Sequence, residues 1–338
     1  MNDAAIKLAQ MDAFEPSWPW RYGHVQTVLA SGPLRRRTVL VWAADLRARA
    51  QPVIVDAGPG VRLSGCYTSQ RSQAQARGLA IVLHGWEGSA DSTYVLETGA
   101  RLLAQGWDVF RLNLRDHGDS HALNPGLFHS ALIDEVVAAV GTLVQRYAAP
   151  RVLLAGYSLG GNFALRVGLR APAAGFSLAA VLAVCPVIDP GHSMRAMEAA
   201  AIYAQYFLHK WRASLRHKQR SFPATPYFTA ADMRLGLREL TRELIQRHTN
   251  FGDLQAYFDA YALSGQRLAA LTVPSAILTA RDDPVIPLAD FVALPEVPAL
   301  RLDITDYGGH CAFLRHLRAP SYCTDWLVAR AAAVSNAA

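Results

Sequence analysis

Residues 151–161 read Arg151-Val152-Leu153-Leu154-Ala155-Gly156-Tyr157-Ser158-Leu159-Gly160-Gly161. The apolar run predicts a buried strand, and residues 162–167 predict the first turns of a helix. Ser158 therefore stands at a sharp turn, where Gly156 and Gly160 leave room for a strained backbone. Its hydroxyl would project at a helix N-terminus, where free N–H groups favour a developing anion. A glycine-rich turn with a capping serine is the alternative interpretation.

The chain around this turn alternates between predicted strands and helices. From residue 78 onward, strand patterns and helix patterns follow one another, which is typical of a parallel sheet with helices on both faces. The alternation stops at residues 189–264, which are helical in pattern, basic and aromatic, and then returns. We predict an α/β fold of the α/β-hydrolase type, with its core in residues 37–188 and 265–338 and a helical cap at 189–264 above the strand ends.

The N-terminal part differs in composition. Residues 1–36 are rich in proline and aromatics, and we predict an arm without regular structure that packs on the core, because so many aromatics would not be left in water. Strand-like runs at residues 38–42, 52–56 and 61–67 predict an antiparallel meander at the edge of the sheet.

Length and composition limit the possible classes of protein. The chain has 338 residues, of which 51% are hydrophobic and 18% charged, enough for one large core. No run reaches the roughly 18 apolar residues that span a bilayer, and we find no secretory signal. The cysteines are too scattered in sequence for a disulfide framework or a metal knuckle: Cys66, Cys185, Cys311 and Cys323. We therefore expect a cytoplasmic monomer or homodimer without a metal or other cofactor.

The formal net charge of +6 raises the question of an anionic partner. Residues 199–231 carry no acidic side chain, and Arg35-Arg36-Arg37 forms a second basic cluster. A solvated helix face, or attraction to an anionic membrane surface, would explain this charge. No nucleic-acid-binding motif accompanies it, so no nucleic acid partner is expected. The basic residues of the cap are Lys210, Arg212, Arg216, Lys218 and Arg220.

A serine hydroxyl is a poor nucleophile at neutral pH, so Ser158 would need a histidine base and a carboxylate that orients it. In this architecture the carboxylate and then the histidine follow the last two strands. Asp282 and Asp283 follow one predicted strand, and His310 follows the next in a glycine-rich loop. Asp283, directly before Pro284, matches the usual placement better, and Asp282 would then cap the turn. A structural loop histidine is the alternative interpretation of His310.

Two backbone donors would have to hold the oxyanion. One is the N–H of Leu159, and the other is the N–H of Trp86, in the loop His84-Gly85-Trp86 after a predicted strand. Candidate substrate-binding residues are Trp86, Tyr157, Tyr206 and Phe207, although helical spacing of the aromatics is equally typical of a packed helix face.

The loop of residues 115–121 contains Arg115, Asp116, His117 and His121 and could be drawn as a metal site. No further ligands at metal spacing accompany it. We predict instead a turn whose charges bond to its own backbone.

The motifs together resemble the α/β-hydrolase family over residues 53–334. The arm at residues 18–27, with the motif Gly-His-x-Gln-Thr, resembles more narrowly the YheT-like branch, whose relatives act on medium-chain esters or phospholipids. This resemblance implies a carboxylester hydrolase with a triad of Ser158, Asp283 and His310. Branch members usually carry a smaller residue at Trp86, which affects the expected size of the acyl pocket. An alcohol O-acyltransferase with the same acyl-enzyme, or a non-catalytic binding protein on this fold, are the alternatives.

Overall fold

An eight-stranded sheet runs through the computed structural model, which describes residues 13–71 and 74–336. The strands are β1 Gln51–Asp56, β2 Arg62–Thr68, β3 Leu79–Leu83, β4 Asp108–Asn113, β5 Val152–Tyr157, β6 Ala180–Val184, β7 Ser275–Ala280 and β8 Leu300–Thr305. Their order across the sheet is β1-β2-β4-β3-β5-β6-β7-β8. Strand β2 runs antiparallel to β1 and β4, and strands β3 to β8 run parallel to one another. The predicted α/β architecture is confirmed, including an antiparallel edge.

Helices cover both faces of the sheet. They are α1 Gly23–Ala30, α2 Pro33–Trp42, α3 Ala44–Ala48, α4 Thr93–Ala104, α5 Ile133–Tyr147, α6 Leu159–Arg170, α7 Pro190–Ala199, α8 Ala201–Ser221, α9 Leu237–His248, α10 Leu254–Tyr261, α11 Leu288–Val292 and α12 Tyr322–Asn336. Every residue of β3, β5, β6 and β7 is buried, because central parallel strands have no solvent-facing side. Within the described ranges, no helix is both long and apolar enough to cross a bilayer.

The prediction for the N-terminal part was wrong in two respects. The predicted strand at residues 38–42 is the second half of helix α2, and the arm contains helix α1; its residues 1–12 lie outside the described residues. Pro33 occupies the first helical turn, where its missing N–H costs nothing. Val39 and Leu46 of this region are fully buried where α2 and α3 pack against α4, so packing overrides the strand-like run of apolar residues.

Between β6 and β7 the chain forms helices α7 to α10, which we call the insertion. Asn162, in the first turn of α6, ties both ends of the insertion to the helix that follows Ser158. Its Nδ2 donates to the carbonyl oxygens of Val187, at 2.9 Å, and Tyr261, at 2.7 Å. Asn162 is fully buried, so these bonds are made away from competing water.

Candidate active site

The turn that carries Ser158 has the strained backbone expected from its glycines. Ser158 has a φ of 52° and directly precedes α6. A Cβ on Gly156 would lie 2.1 Å from the carbonyl oxygen of Gly160, and a Cβ on Gly160 would lie 2.3 Å from that of His84. Neither position accepts a larger residue without moving the backbone. The turn is fixed further by a bond from the Ser158 N–H to the Val184 carbonyl, at 2.9 Å.

Three predicted site residues form one hydrogen-bonded chain. His310 Nε2 lies 2.9 Å from Ser158 Oγ, and His310 Nδ1 lies 2.9 Å from Asp283 Oδ2. The other oxygen of Asp283 accepts the N–H groups of Val285, at 2.8 Å, and Ile286, at 3.0 Å. The carboxylate of Asp283 accepts a hydrogen bond from Nδ1–H, which leaves the Nε2 lone pair free for the serine hydroxyl.

The neighbouring carboxylate has a different environment. Asp282 Oδ1 accepts the N–H of Gly309 at 2.8 Å, and its Oδ2 has no partner among the described residues. Burial raises the pKa of Asp282. In this geometry Asp283 contacts the imidazole and Asp282 holds the loop that carries His310.

Opposing effects act on His310. Burial lowers the pKa of its imidazole, whereas Asp283 and Cys311 beside it raise the pKa, and the net result lies well above the usual value of 6.5. The carboxylate of Asp283, which also fixes the orientation of the ring, stabilises the protonated imidazole.

Helix α1 buttresses the loops that carry His310 and Asp283. Thr27 Oγ1 accepts the backbone N–H of His310 at 2.9 Å and donates to the Gly23 carbonyl at 2.7 Å. A Cβ on Gly23 would lie 2.0 Å from the carbonyl oxygen of Asp282, so the backbone of helix α1 contacts the backbone of the loop that carries Asp282 and Asp283. Sequence reasoning did not find this contact, although the Gly-His-x-Gln-Thr motif was its signal.

The same motif makes three further contacts. Gln26, which is fully buried, accepts the N–H of Leu314 at 2.6 Å and donates to the carbonyl of Trp20 at 2.6 Å. His24 Nδ1 lies 2.8 Å from the hydroxyl of Tyr203 in the insertion, and the two rings stack. The arm thus joins the histidine loop on one side to the insertion on the other.

Leu159 and Trp86, the predicted oxyanion donors, line the same cavity as Ser158. Within the described ranges, neither backbone N–H donates to another protein group. The Trp86 loop is close to Ser158, because a Cβ on Gly85 would lie 3.2 Å from Ser158 Cβ. A tetrahedral oxyanion requires two backbone N–H groups that have no other acceptor.

Two buried histidines hold the Trp86 loop. His84 Nε2 accepts the N–H of Leu114 at 3.1 Å, and His117 Nε2 accepts the N–H of Glu87 at 3.1 Å. Burial lowers the pKa of His84 to about 4 and that of His117 well below 6.5. Both imidazoles therefore stay neutral and keep an acceptor nitrogen for the backbone.

The loop of residues 115–121 bonds less to its own backbone than predicted. His117 Nδ1 does contact the Arg115 carbonyl, at 2.7 Å. The charges instead reach other elements: Arg115 pairs with Glu135 of α5, and Asp116 pairs at 2.7 Å with Lys218 of α8. The prediction was wrong for these two charges because it could not include partners distant in sequence.

The basic cluster of α8 is also less solvated than its composition indicates. Lys218 is buried, Arg212 donates to the Leu235 carbonyl at 2.8 Å, and Lys210 donates to the Glu87 carbonyl. Only Arg216 and Arg220 of the five are exposed. The other three cations therefore bond to groups of the protein itself.

Two cavities meet at Ser158. The insertion cavity, the smaller of the two, is mostly apolar, and Leu159, Ile286 and helices α7 to α10 line it. The arm cavity is lined by α1, by α8 and by His310, and it contains the cations Arg36 and Lys210. Ser158 therefore stands between two spaces, of which only the larger one is lined by cations.

The candidate substrate-binding residues separate into two groups. Trp86 and Phe207 line both cavities and stack with ring centroids 5.3 Å apart, and Tyr206 lines the arm cavity. Tyr157 also lines the arm cavity, but its side chain is fully buried in the core, and its hydroxyl lies 2.6 Å from that of Thr98. The side chain of Tyr157 is therefore placed to support the turn at Ser158 from within the core.

Two cysteines that are distant in sequence meet beside His310. Cys185, Cys311 and His310 each bring one potential ligand atom, and these atoms lie within 4.8 Å of one another. The sequence spacing predicts neither a disulfide framework nor a metal knuckle, yet this pair comes together in space because the segments after β6 and β8 converge at the site.

The sequence is similar to a known protein family and to a named relative. A family model described as the alpha/beta hydrolase family matches residues 80–319. The Escherichia coli (strain K12) protein named "Putative esterase YheT" is 24% identical over 260 residues, which cover 73% of this chain and 74% of that protein. This match agrees with the similarity to the YheT-like branch that the motifs indicate.

Solved structures show the same fold at low identity. The Pyrococcus furiosus esterase Pf2001 is 17% identical with a TM-score of 0.50, covering 77% of this chain and 82% of its own. A 2,6-dihydroxy-pseudo-oxynicotine hydrolase is 16% identical with a TM-score of 0.55, covering 84% of this chain and 70% of its own. Both are hydrolases built on an architecture like the one described above.

Proposed function

The chain belongs to the alpha/beta hydrolase family, and on that basis we propose that it hydrolyses carboxylic esters with Ser158, His310 and Asp283 as catalytic residues. The observation that carries this proposal is the hydrogen-bonded chain from Ser158 Oγ through the imidazole to Asp283 Oδ2, with 2.9 Å at each step. The esterase named among its relatives supports the choice of substrate class.

The proposed mechanism has two halves. Ser158 Oγ attacks the ester carbonyl while His310 Nε2 accepts its proton, and the N–H groups of Leu159 and Trp86 receive the negative charge on the carbonyl oxygen. His310 then gives the proton to the leaving alcohol, and an acyl-enzyme remains on Ser158. Water, activated by the same imidazole, releases the acid. Asp283 keeps the ring in the tautomer that both halves need.

We further propose that residues 189–264 act as a cap that binds the acyl group. The apolar lining of the insertion cavity supports this, because an acyl chain gains about 0.8 kcal/mol for each methylene that it buries. Trp86 and Phe207 would border the acyl chain, and the alcohol part would lie in the arm cavity with Tyr206.

The test is hydrolysis of p-nitrophenyl esters from acetate to palmitate by the native chain and by Ser158→Ala. A serine-dependent burst with a preferred chain length supports the proposal. Turnover that survives in Ser158→Ala would refute it. Repeating the assay with added alcohol and comparing ester product with free acid separates hydrolysis from the alternative, acyl transfer.

Peripheral contact with an anionic membrane remains a separate proposal. It is supported by the exposed Arg216 and Arg220, since the other cations of α8 are engaged. Cosedimentation with anionic vesicles, compared between the native chain and the variant with both arginines replaced by Gln, tests it. Equal cosedimentation of the two proteins would refute the proposed membrane contact.

A further inference from the structure

Three metal-binding groups converge where the proposed mechanism uses only one. Cys185 follows β6 and is fully buried, whereas Cys311 and His310 line the arm cavity. Cys311 Sγ lies 3.9 Å from His310 Nε2, and the three potential ligand atoms lie within 4.8 Å of one another. The proposed ester hydrolysis needs neither thiol.

These separations are near those of a metal site. A tetrahedral zinc with about 2.3 Å to sulfur and about 2.0–2.1 Å to nitrogen places its ligand atoms about 3.5–3.8 Å apart. The 3.9 Å between Cys311 Sγ and His310 Nε2 is close to this spacing. Two thiolates and one imidazole are also the donors that zinc and other thiophilic divalent cations prefer.

The surroundings of His310 complete the arrangement. Its Nδ1 lies 2.9 Å from Asp283 Oδ2, which is the carboxylate partner that metal-binding histidines usually have. The nitrogen left for the metal is Nε2, the same atom that lies 2.9 Å from Ser158 Oγ. One lone pair cannot bind a cation and accept the serine proton together.

We propose that Cys185, Cys311 and His310 form an inhibitory site for a thiophilic divalent cation of the zinc type, reached through the arm cavity. Binding displaces the thiol protons to solvent and occupies Nε2, so the imidazole no longer serves Ser158. The cation-binding part stands on the three ligands alone, whereas the inhibition rests on the proposed function.

The first experiment measures binding without any catalysis. Ser158→Ala is titrated with Co²⁺ under a reductant that does not bind metals, and the thiolate-to-cobalt charge-transfer absorption is recorded. We expect saturation at one ion per chain and loss of the band in Cys311→Ala. Because Asp283 orients the ring, Asp283→Asn should weaken binding by about 10–100-fold. No charge-transfer band, or an unchanged band in Cys311→Ala, overturns the proposal.

Buried Cys185 needs a second check, since its replacement could disturb folding. Cys185→Ala is accepted only if its circular dichroism and Tm match the native values; otherwise the half-buried Cys311 variant decides alone. Cys66→Ala, which changes a thiol on β2 outside the site, serves as the control and should bind Co²⁺ as the native chain does.

The second experiment measures ester hydrolysis against Zn²⁺ concentration. Inhibition should be saturable and reversed by a chelator in the native chain and in Cys66→Ala. With each rate taken relative to the same variant's zinc-free rate, the half-inhibiting Zn²⁺ concentration should be at least tenfold higher for Cys311→Ala than for the native chain. Equal inhibition of Cys311→Ala and Cys66→Ala would refute the assigned ligands, even if the serine-dependent activity itself is present.

Discussion

Replacing Thr27 by Val should lower kcat, although Thr27 is not one of the three proposed catalytic residues. Valine keeps the shape of threonine but cannot accept the His310 N–H, 2.9 Å from Oγ1, or donate to the Gly23 carbonyl. A partly buried N–H left without a partner costs about 1–3 kcal/mol. If that cost falls on the placement of His310, it corresponds to a loss of about 5- to 160-fold in kcat.

The assay compares kcat on a p-nitrophenyl ester with Tm for Thr27→Val and for a matched control. Thr142→Val is that control, because Thr142 Oγ1 also makes a tertiary bond, 2.9 Å to the Asp56 carbonyl at the end of edge strand β1. We expect it to lose about 1 kcal/mol of stability and to keep its kcat. If both variants keep native kcat, the reasoning that α1 positions His310 is refuted.

The same geometry can be tested at the acid, at the base and at the insertion cavity. Asp283→Asn should lower kcat by about 10⁴-fold, as the equivalent change does in serine proteases. Asp282→Asn keeps an oxygen for the Gly309 N–H, so its kcat should stay within about tenfold of the native value. Equal losses of kcat in parallel ester assays would refute the assignment of Asp283 as the catalytic acid residue. Because His310 must be neutral to act as a base and its pKa lies well above 6.5, kcat/KM should fall as pH drops, with its acidic midpoint above pH 6.5 in a stopped-flow pH series; a midpoint below that value would contradict the ion pair. Met194→Trp should fill part of the insertion cavity and reduce kcat/KM for long acyl chains by roughly fourfold per displaced methylene while sparing acetate; a uniform loss over all chain lengths would place the acyl group elsewhere.

The central part of the fold and site could be predicted because its causes are local in sequence. The strand, the two glycines and the helix around Ser158 specify the turn within eleven residues. Asp283 and His310 follow the next two parallel strands after the insertion, and parallel strands bring their C-terminal ends to one edge of the sheet. Chain order alone therefore indicated which side chains would meet.

The remaining features depend on contacts between segments distant in sequence. Helix α2 resembled a strand because its apolar run has no clear period, and only its packing on α4 decides the outcome. Likewise, the α8 composition shows Lys218 as one more surface cation, whereas the fold buries it against Asp116. The meeting of Cys185 with Cys311 required knowing where the residue after β6 and the loop after β8 end.

The most direct test of the central claim is covalent labelling with a fluorophosphonate, followed by peptide mass spectrometry. We expect a single modified residue, Ser158, with loss of ester hydrolysis in proportion to labelling. We expect no labelling in His310→Ala, because the hydroxyl then lacks its base. Modification of another residue, such as Cys311, or full ester hydrolysis by a chain labelled at Ser158, would contradict the claim that Ser158 is the nucleophile.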